Sequence, residues 1–102
     1  EWQPPLHRAA RHGASEELQQ LLSRGADLEE MDYMNRTALQ HGVMMGHSEV
    51  VQALLGAGAS PLPPGLPHPL QTAAEMGDLP IVELLLQARA LLRHQARASW
   101  QG

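Results

Sequence analysis

The sequence predicts an all-α fold: a solenoid of three stacked helix-turn-helix units with short finger loops between them and an extended C-terminal helix. Three observations predict it. First, one block recurs. Displaced by 33 residues, Leu6 falls on Leu39, Gly13 on Gly46, Leu21-Leu22 on Leu54-Leu55 and Gly25-Ala26 on Gly58-Ala59; a further 31 continues the series at Leu70, Gly77, Leu85-Leu86 and Ala90. Second, each block carries apolar residues at helical spacing and a glycine where a helix would end. Third, aromatic residues are limited to Trp2, Tyr33 and Trp100, so the interior is built from Leu, Ala, Val, Ile and Met. Such side chains suit close helix packing better than a thick globular core.

In the first unit, Pro5 opens a helix at a position whose N–H needs no partner. Leu6, Ala9 and Ala10 sit at i, i+3 and i+4 and form one apolar face, repeated by Leu39, Gly42, Val43 and by Leu70, Ala73, Ala74. Pro69 opens the third copy as Pro5 does the first, and Ala38 stands there in the second. Gly13, Gly46 and Gly77 end these helices in the left-handed conformation. Ser15, Ser48 and Asp78 are the expected N-caps of the second helices. Those helices bury Leu18, Leu21, Leu22; then Val50, Val51, Leu54, Leu55; then Ile81, Val82, Leu85, Leu86. Pro80 falls in a first turn, where proline is tolerated, and Gly25 and Gly58 stop the first two of these helices.

Between units one and two, Asp32 to Asn35 read as a tight turn with Asn35 at positive φ, giving a hairpin-like finger. The next finger, SPLPPGLPHP, holds five prolines and reads as a stiff extended loop. Arg89 occupies the slot of Gly25 and Gly58, and good helix formers follow it. The last helix is therefore expected to run on to about Ala98 as a C-terminal cap; the alternative is a left-handed Arg89 at a cost of about 1 kcal/mol. The chain reads as a single domain over 1–102. Its units span about 3–31, 32–62 and 66–92, with the cap at about 89–99.

The blocks PPLHRAARHGASEELQQLLSRGAD, TALQHGVMMGHSEVVQALLGAGAS and HPLQTAAEMGDLPIVELLLQARAL resemble the ankyrin repeat over roughly residues 4–92. The resemblance implies an ankyrin-repeat solenoid that binds another protein or peptide through its concave face and fingers, without catalysis or cofactor. It also implies that His7 bonds to backbone between units, with Gln40 and Gln71 at its equivalent positions. Each copy departs from the family opening, which pairs a threonine with a histidine three residues on: Pro4 and His7, Thr37 and Gln40, His68 and Gln71. The local network is expected to be weaker by about 1 kcal/mol per lost bond. Glu17, where the equivalents are Val50 and Ile81, fits a terminal unit with one uncovered face, or is a plain surface substitution.

The outward face of the first helices is expected to carry Arg8, Arg11 and His12; His41, Met44 and Met45; and Thr72, Glu75 and Met76. The first finger adds Met31, Tyr33, Met34 and Arg36. Methionine adapts to irregular partners, and Tyr and Arg are favoured interface anchors. The Met44-Met45 pair reads equally as part of such a patch or as filler between units. Replacing Tyr33, Met34 and Met44 by alanine separates the two readings, since core residues would cost stability and patch residues affinity.

Other chemistry has little footing. Histidines five apart, as His7 and His12 are, do not share a helical face, and a zinc site needs three or four converging ligands. The chain has no cysteine, hence no disulfide, thiolate metal site or cysteine nucleophile. GAGAS at 56–60 is a unit exit with no helix after it, and no phosphate loop or nucleophile elbow is present. Net charge is −4, which argues against nucleic acid as the main partner, and no apolar run is long enough to span a membrane. The seven cations are all arginine, with Arg89, Arg93 and Arg97 in a tail that has no acid. That stripe suits either an anionic surface or simply the negative end of a helix dipole.

A second functional reading is regulatory inhibition: small ankyrin-repeat kinase inhibitors are similar in having few units and a Met-rich first helix, matched here by GVMMGH. A third is binding of nucleic acid or an anionic surface through the basic tail. The N-terminus shows no signal-peptide pattern, so an intracellular place, cytoplasmic or nuclear, is expected. Abrupt ends at Glu1 and Gly102 are those expected of a domain excised from a longer chain, whose further repeats or domains would be additional partners.

Overall fold

The computed structural model describes residues 3–64 and 68–101, with the side chains of the last helix described up to Arg93. Six helices follow in order: α1 (Pro5–His12), α2 (Ser15–Ser23), α3 (Ala38–Met44), α4 (Ser48–Gly56), α5 (Pro69–Met76) and α6 (Leu79–Gln101). Among the described residues there is no strand. The helices pair as α1–α2, α3–α4 and α5–α6, and the pairs stack: α3 lies between α1 and α5, and α4 between α2 and α6. This is the all-α solenoid of three helix-turn-helix units that the repeated block predicts.

The core runs through the stack rather than into a centre. Leu6, Ala9, Ala10, Leu18, Leu39, Val43, Val50, Val51, Leu54, Ala73, Ile81 and Leu85 are buried in one continuous cluster. Alanine and glycine on α1, α3 and α5 let that row close up. A Cβ built on Gly42 would already meet Val50 at 3.0 Å. The α1–α3 interface is denser than the α2–α4 interface, which puts the first helices on the inner side of the curve.

Five helices end in one manner. Gly13, Gly25, Gly46, Gly58 and Gly77 all have positive φ. Beyond each, an N–H reaches back five residues: Ala14 to Ala9, Ala26 to Leu21, His47 to Gly42, Ala59 to Leu54 and Asp78 to Ala73, all at 2.9–3.1 Å. These bonds satisfy the orphan carbonyls of each helix end and fix the angle at which the chain leaves it. Arg89 stands where the sixth glycine would, and α6 continues through it without a break. Pro5 and Pro69 open α1 and α5, and Pro80 sits in the first turn of α6.

Several local expectations are corrected. Ser15 and Ser48 are the first residues of α2 and α4, not their caps; Ala14 and His47 hold the cap positions without side-chain bonds. The Ser15 hydroxyl instead donates to Glu49 on the next unit at 3.3 Å. Asp78 does cap, accepting the Ile81 N–H at 3.4 Å. The network at α3 is not weakened. Gln40 Oε1 accepts the Thr37 N–H at 2.8 Å while Thr37 Oγ1 accepts the Gln40 N–H at 3.4 Å, a closed capping box. Glutamine thus replaces histidine, whereas Pro4 and His68 cap α1 and α5 with no side-chain bond. Ala74 and Leu86, expected in the core, are exposed, because among the described residues no unit covers the outer side of α5 and α6. The proline-rich finger has no regular structure at 59–64, and its residues 65–67 lie outside the described residues.

The glycine ends give a test. Gly25→Ala meets nothing within 4 Å, so it carries only the left-handed backbone penalty of about 1–2 kcal/mol. Gly13→Ala carries that penalty and also brings its Cβ to 2.9 Å from the His47 ring. Urea unfolding should show a clearly larger loss for Gly13→Ala; equal losses would mean the His47 ring yields freely.

Candidate functional site

The first finger is built from its stem upward. The Asp32 N–H donates to the Arg36 carbonyl and the Asn35 N–H to the Asp32 carbonyl, both at 3.0 Å, closing a tight turn. Asn35 takes φ 59°, the left-handed value that asparagine tolerates. Asp32 Oδ1 accepts the N–H groups of Met34 and Arg36, at 2.9 and 3.1 Å. The finger is therefore hairpin-like in its closing bonds but has no strand ladder. Its tip is presented outward: Tyr33 is 66% exposed and Met34 46%. The Arg36 guanidinium reaches the Met34 sulfur at 3.9 Å, while its Nε is buried without a partner.

Two histidines tie this stem to the helices. His7 Nε2 donates to the Arg36 carbonyl at 2.7 Å, the bond between units that the resemblance implies. His41 Nε2 donates to Asp32 Oδ2 at 2.7 Å. The two rings meet edge to face with centroids 5.5 Å apart. His41 was expected on the outward face beside Met44 and Met45, and the structure corrects this: it is buried beneath the finger. The physical reason is Asp32, whose carboxylate needs a donor once the finger folds over α3. The signal lay in the sequence: an acid at a turn nine residues before a histidine in the middle of the next helix.

The remaining candidates separate into two groups. Met44 is half-buried yet outside the core cluster, and Met45 is 49% exposed. Met76 is 48% exposed and lays its Cε beside Gly46, close to Met45. Glu75 is exposed. This group lies at the far end of α3 from the finger, roughly 10 Å along the helix axis. Arg8 and His12 instead line a polar groove of about 320 Å³ with Pro5, Glu17, Gln20, Leu21 and Arg24, at the outer end of the first unit. Arg11 is exposed, and its carbonyl accepts His47 Nε2 at 3.1 Å. Arg97 and Trp100 lie outside the described side chains. Among the described residues no three His, Asp or Glu side chains converge as a metal site would require, and no helix is long and apolar enough to cross a membrane.

The stem has an electrostatic signature. Burial would raise the Asp32 carboxyl, but the His41 ring and the N–H groups of Arg36 and Met34 outweigh it and hold it at about 2. Burial pushes the His41 imidazole below 6.5, against the opposing pull of Asp32. Both groups are therefore lower when folded than when unfolded. The His41 contribution is complete above 6.5 and is lost as pH falls through its lower folded value. The Asp32 contribution, about 2 kcal/mol, is complete above 3.8 and fades toward 2. The melting temperature of the wild-type chain should thus fall between about pH 7 and pH 5 more than that of His41→Gln. A wild-type profile as flat as the variant's would contradict the assignment.

Comparison with known proteins agrees with this architecture. A family model of ankyrin repeats (three copies) matches residues 2–63, and a model of the single ankyrin repeat matches 68–97. The chain is 37% identical over 98 residues to human cyclin-dependent kinase 4 inhibitor B, covering 93% of this chain and 69% of that protein. It is 47% identical over 51 residues to the probable E3 ubiquitin-protein ligase XBOS33 of Oryza sativa subsp. japonica, which is 50% of this chain and 10% of the ligase. It is 40% identical over 83 residues to the ADP-ribosylation factor GTPase-activating protein AGD4 of Arabidopsis thaliana, 79% of this chain and 11% of that protein. The chain thus spans only about a tenth of the length of these two plant relatives. With three stacked helix pairs, glycine-ended helices and these matches along its length, the chain belongs to the ankyrin-repeat family.

Proposed function

We propose that the chain is a protein-recognition module that grips a partner through its first finger and the inner helix row. The observation that carries this is the finger itself. Tyr33 and Met34 stand exposed on a stem fastened by Asp32, His41 and His7. A large apolar side chain on a rigid stem loses little entropy when a partner covers it. Met45 and Met76, with Met44 beside them, extend the apolar surface along α3 and α5, and Arg36 and Glu75 supply charge at its edge. Arg8, Arg11 and His12 would contact only a partner that also wraps the first unit. The reading places another protein or peptide as partner, inside the cell.

Regulatory inhibition of a kinase is the second reading. It is favoured by the similarity to cyclin-dependent kinase 4 inhibitor B over nearly the whole of this chain. On this reading the candidate target is a cyclin-dependent kinase of the kind that relative inhibits, cyclin-dependent kinase 4.

Both readings can be tested separately. Alanine at Tyr33, Met34 and Met44 together should weaken partner capture at least about tenfold, the effect of losing one modest anchor, while the melting temperature changes little. A collapse in stability with unchanged affinity of the folded fraction would return these side chains to the core. Purified chain added to cyclin-dependent kinase 4 should lower its activity on the second reading. Full activity at saturating chain would discard inhibition and leave the recognition module standing.

A further inference from the structure

The two ends of the stack are unlike. Leu6, His7 and Ala10 of α1 are buried under the second unit, and Leu39, Gln40 and Val43 of α3 are buried likewise between their neighbours. The equivalent residues of α5 are not covered: Leu70 is half-buried, and Gln71 and Ala74 are exposed. Together with Pro61, Leu62, His68 and Arg89 they line a groove of about 440 Å³. No acid lines it, and Arg89 has no ion-pair partner among the described residues. The groove continues, in register, the surface on which each preceding unit receives the first helix of the next.

What fits it follows from that register and charge. The two equivalent faces are each covered by a helix, so a helix suits the third. Within the described residues the chain does not turn back over α5 as it does after α2 and α4: α6 runs straight through Arg89 to Gln101. A second copy stacked head to tail is opposed by its own leading end. Glu17, Arg8 and Arg24 line that face, and Glu17 stands where Val50 and Ile81 are fully buried. We infer that the groove docks an amphipathic helix of another protein, which sets small apolar side chains against Leu62, Leu70 and Ala74 and a carboxylate against Arg89. This surface is separate from the finger and widens the module from one docking face to two.

The test uses the intact chain and two stapled helical peptides with the same Ala/Leu face, one flanked by glutamate and the other by lysine. The expected result by NMR is that the glutamate peptide shifts the amides of Leu62, Leu70, Gln71 and Ala74 and binds about tenfold tighter than the lysine peptide. Arg89→Glu should reverse that order, and Ala74→Arg should abolish binding of both while circular dichroism shows an unchanged fold. Alanine at Tyr33 and Met34 should leave peptide binding intact, so this site stands or falls apart from the finger. Equal binding of the two peptides, shifts confined to Tyr33–Arg36, or no shift at millimolar peptide would overturn the inference.

Discussion

Every feature of this molecule depends on one constraint: a helix pair of this composition has a bare apolar side that only its neighbour can cover. Ala9, Ala10, Gly42 and Ala73 offer almost no bulk, so the inner helices come close, and the larger Leu54, Ile81 and Leu85 fill the space behind them. No single unit encloses enough apolar surface to stand alone, since burial yields only about 25 cal/mol per Å². Stability is therefore a property of the interfaces between units. The glycines serve that constraint. By ending five helices with the same bonds, they deliver each pair in the orientation its neighbour requires.

The finger is the second consequence. A loop between units is free to move unless something fixes it, and here the fixing groups come from both neighbouring units. His7 reaches across from the first helix to the Arg36 carbonyl, and His41 rises from the third helix to the Asp32 carboxylate. The polar groups are buried where they join the stack, while the tip bearing Tyr33 and Met34 remains in water. Rigidity at the base and apolar surface at the tip arise from the same set of bonds.

Much of this could be read from the residues alone. The period of the glycines located the helices, and Arg89 in a glycine slot was enough to foresee a continuous last helix. What could not be read was tertiary. His41 lies on the helix face that a periodicity argument assigns to solvent, and only the folding of the finger over α3 makes it an inner partner of Asp32. The same limit applies to Arg8 and His12, which fall on His41 and Met45 in the repeat register yet open onto the end of the first unit. Helical spacing tells which residues share a face of one helix; it says nothing about which faces a neighbouring loop will roof over. The serines displaced by one position from their expected cap sites show the smaller ambiguity of helix boundaries.

The claim that interfaces between units carry the stability is most directly tested by native-state hydrogen exchange. The middle unit is covered on both sides, with six of the seven residues of α3 buried. The account predicts that amides of α3 and α4 exchange most slowly, with protection declining through α1 and α2 on one side and along α6 on the other. Terminal helices exchanging as slowly as α3, or slowest protection in α1 or the distal part of α6, would contradict it and point to a single undivided core.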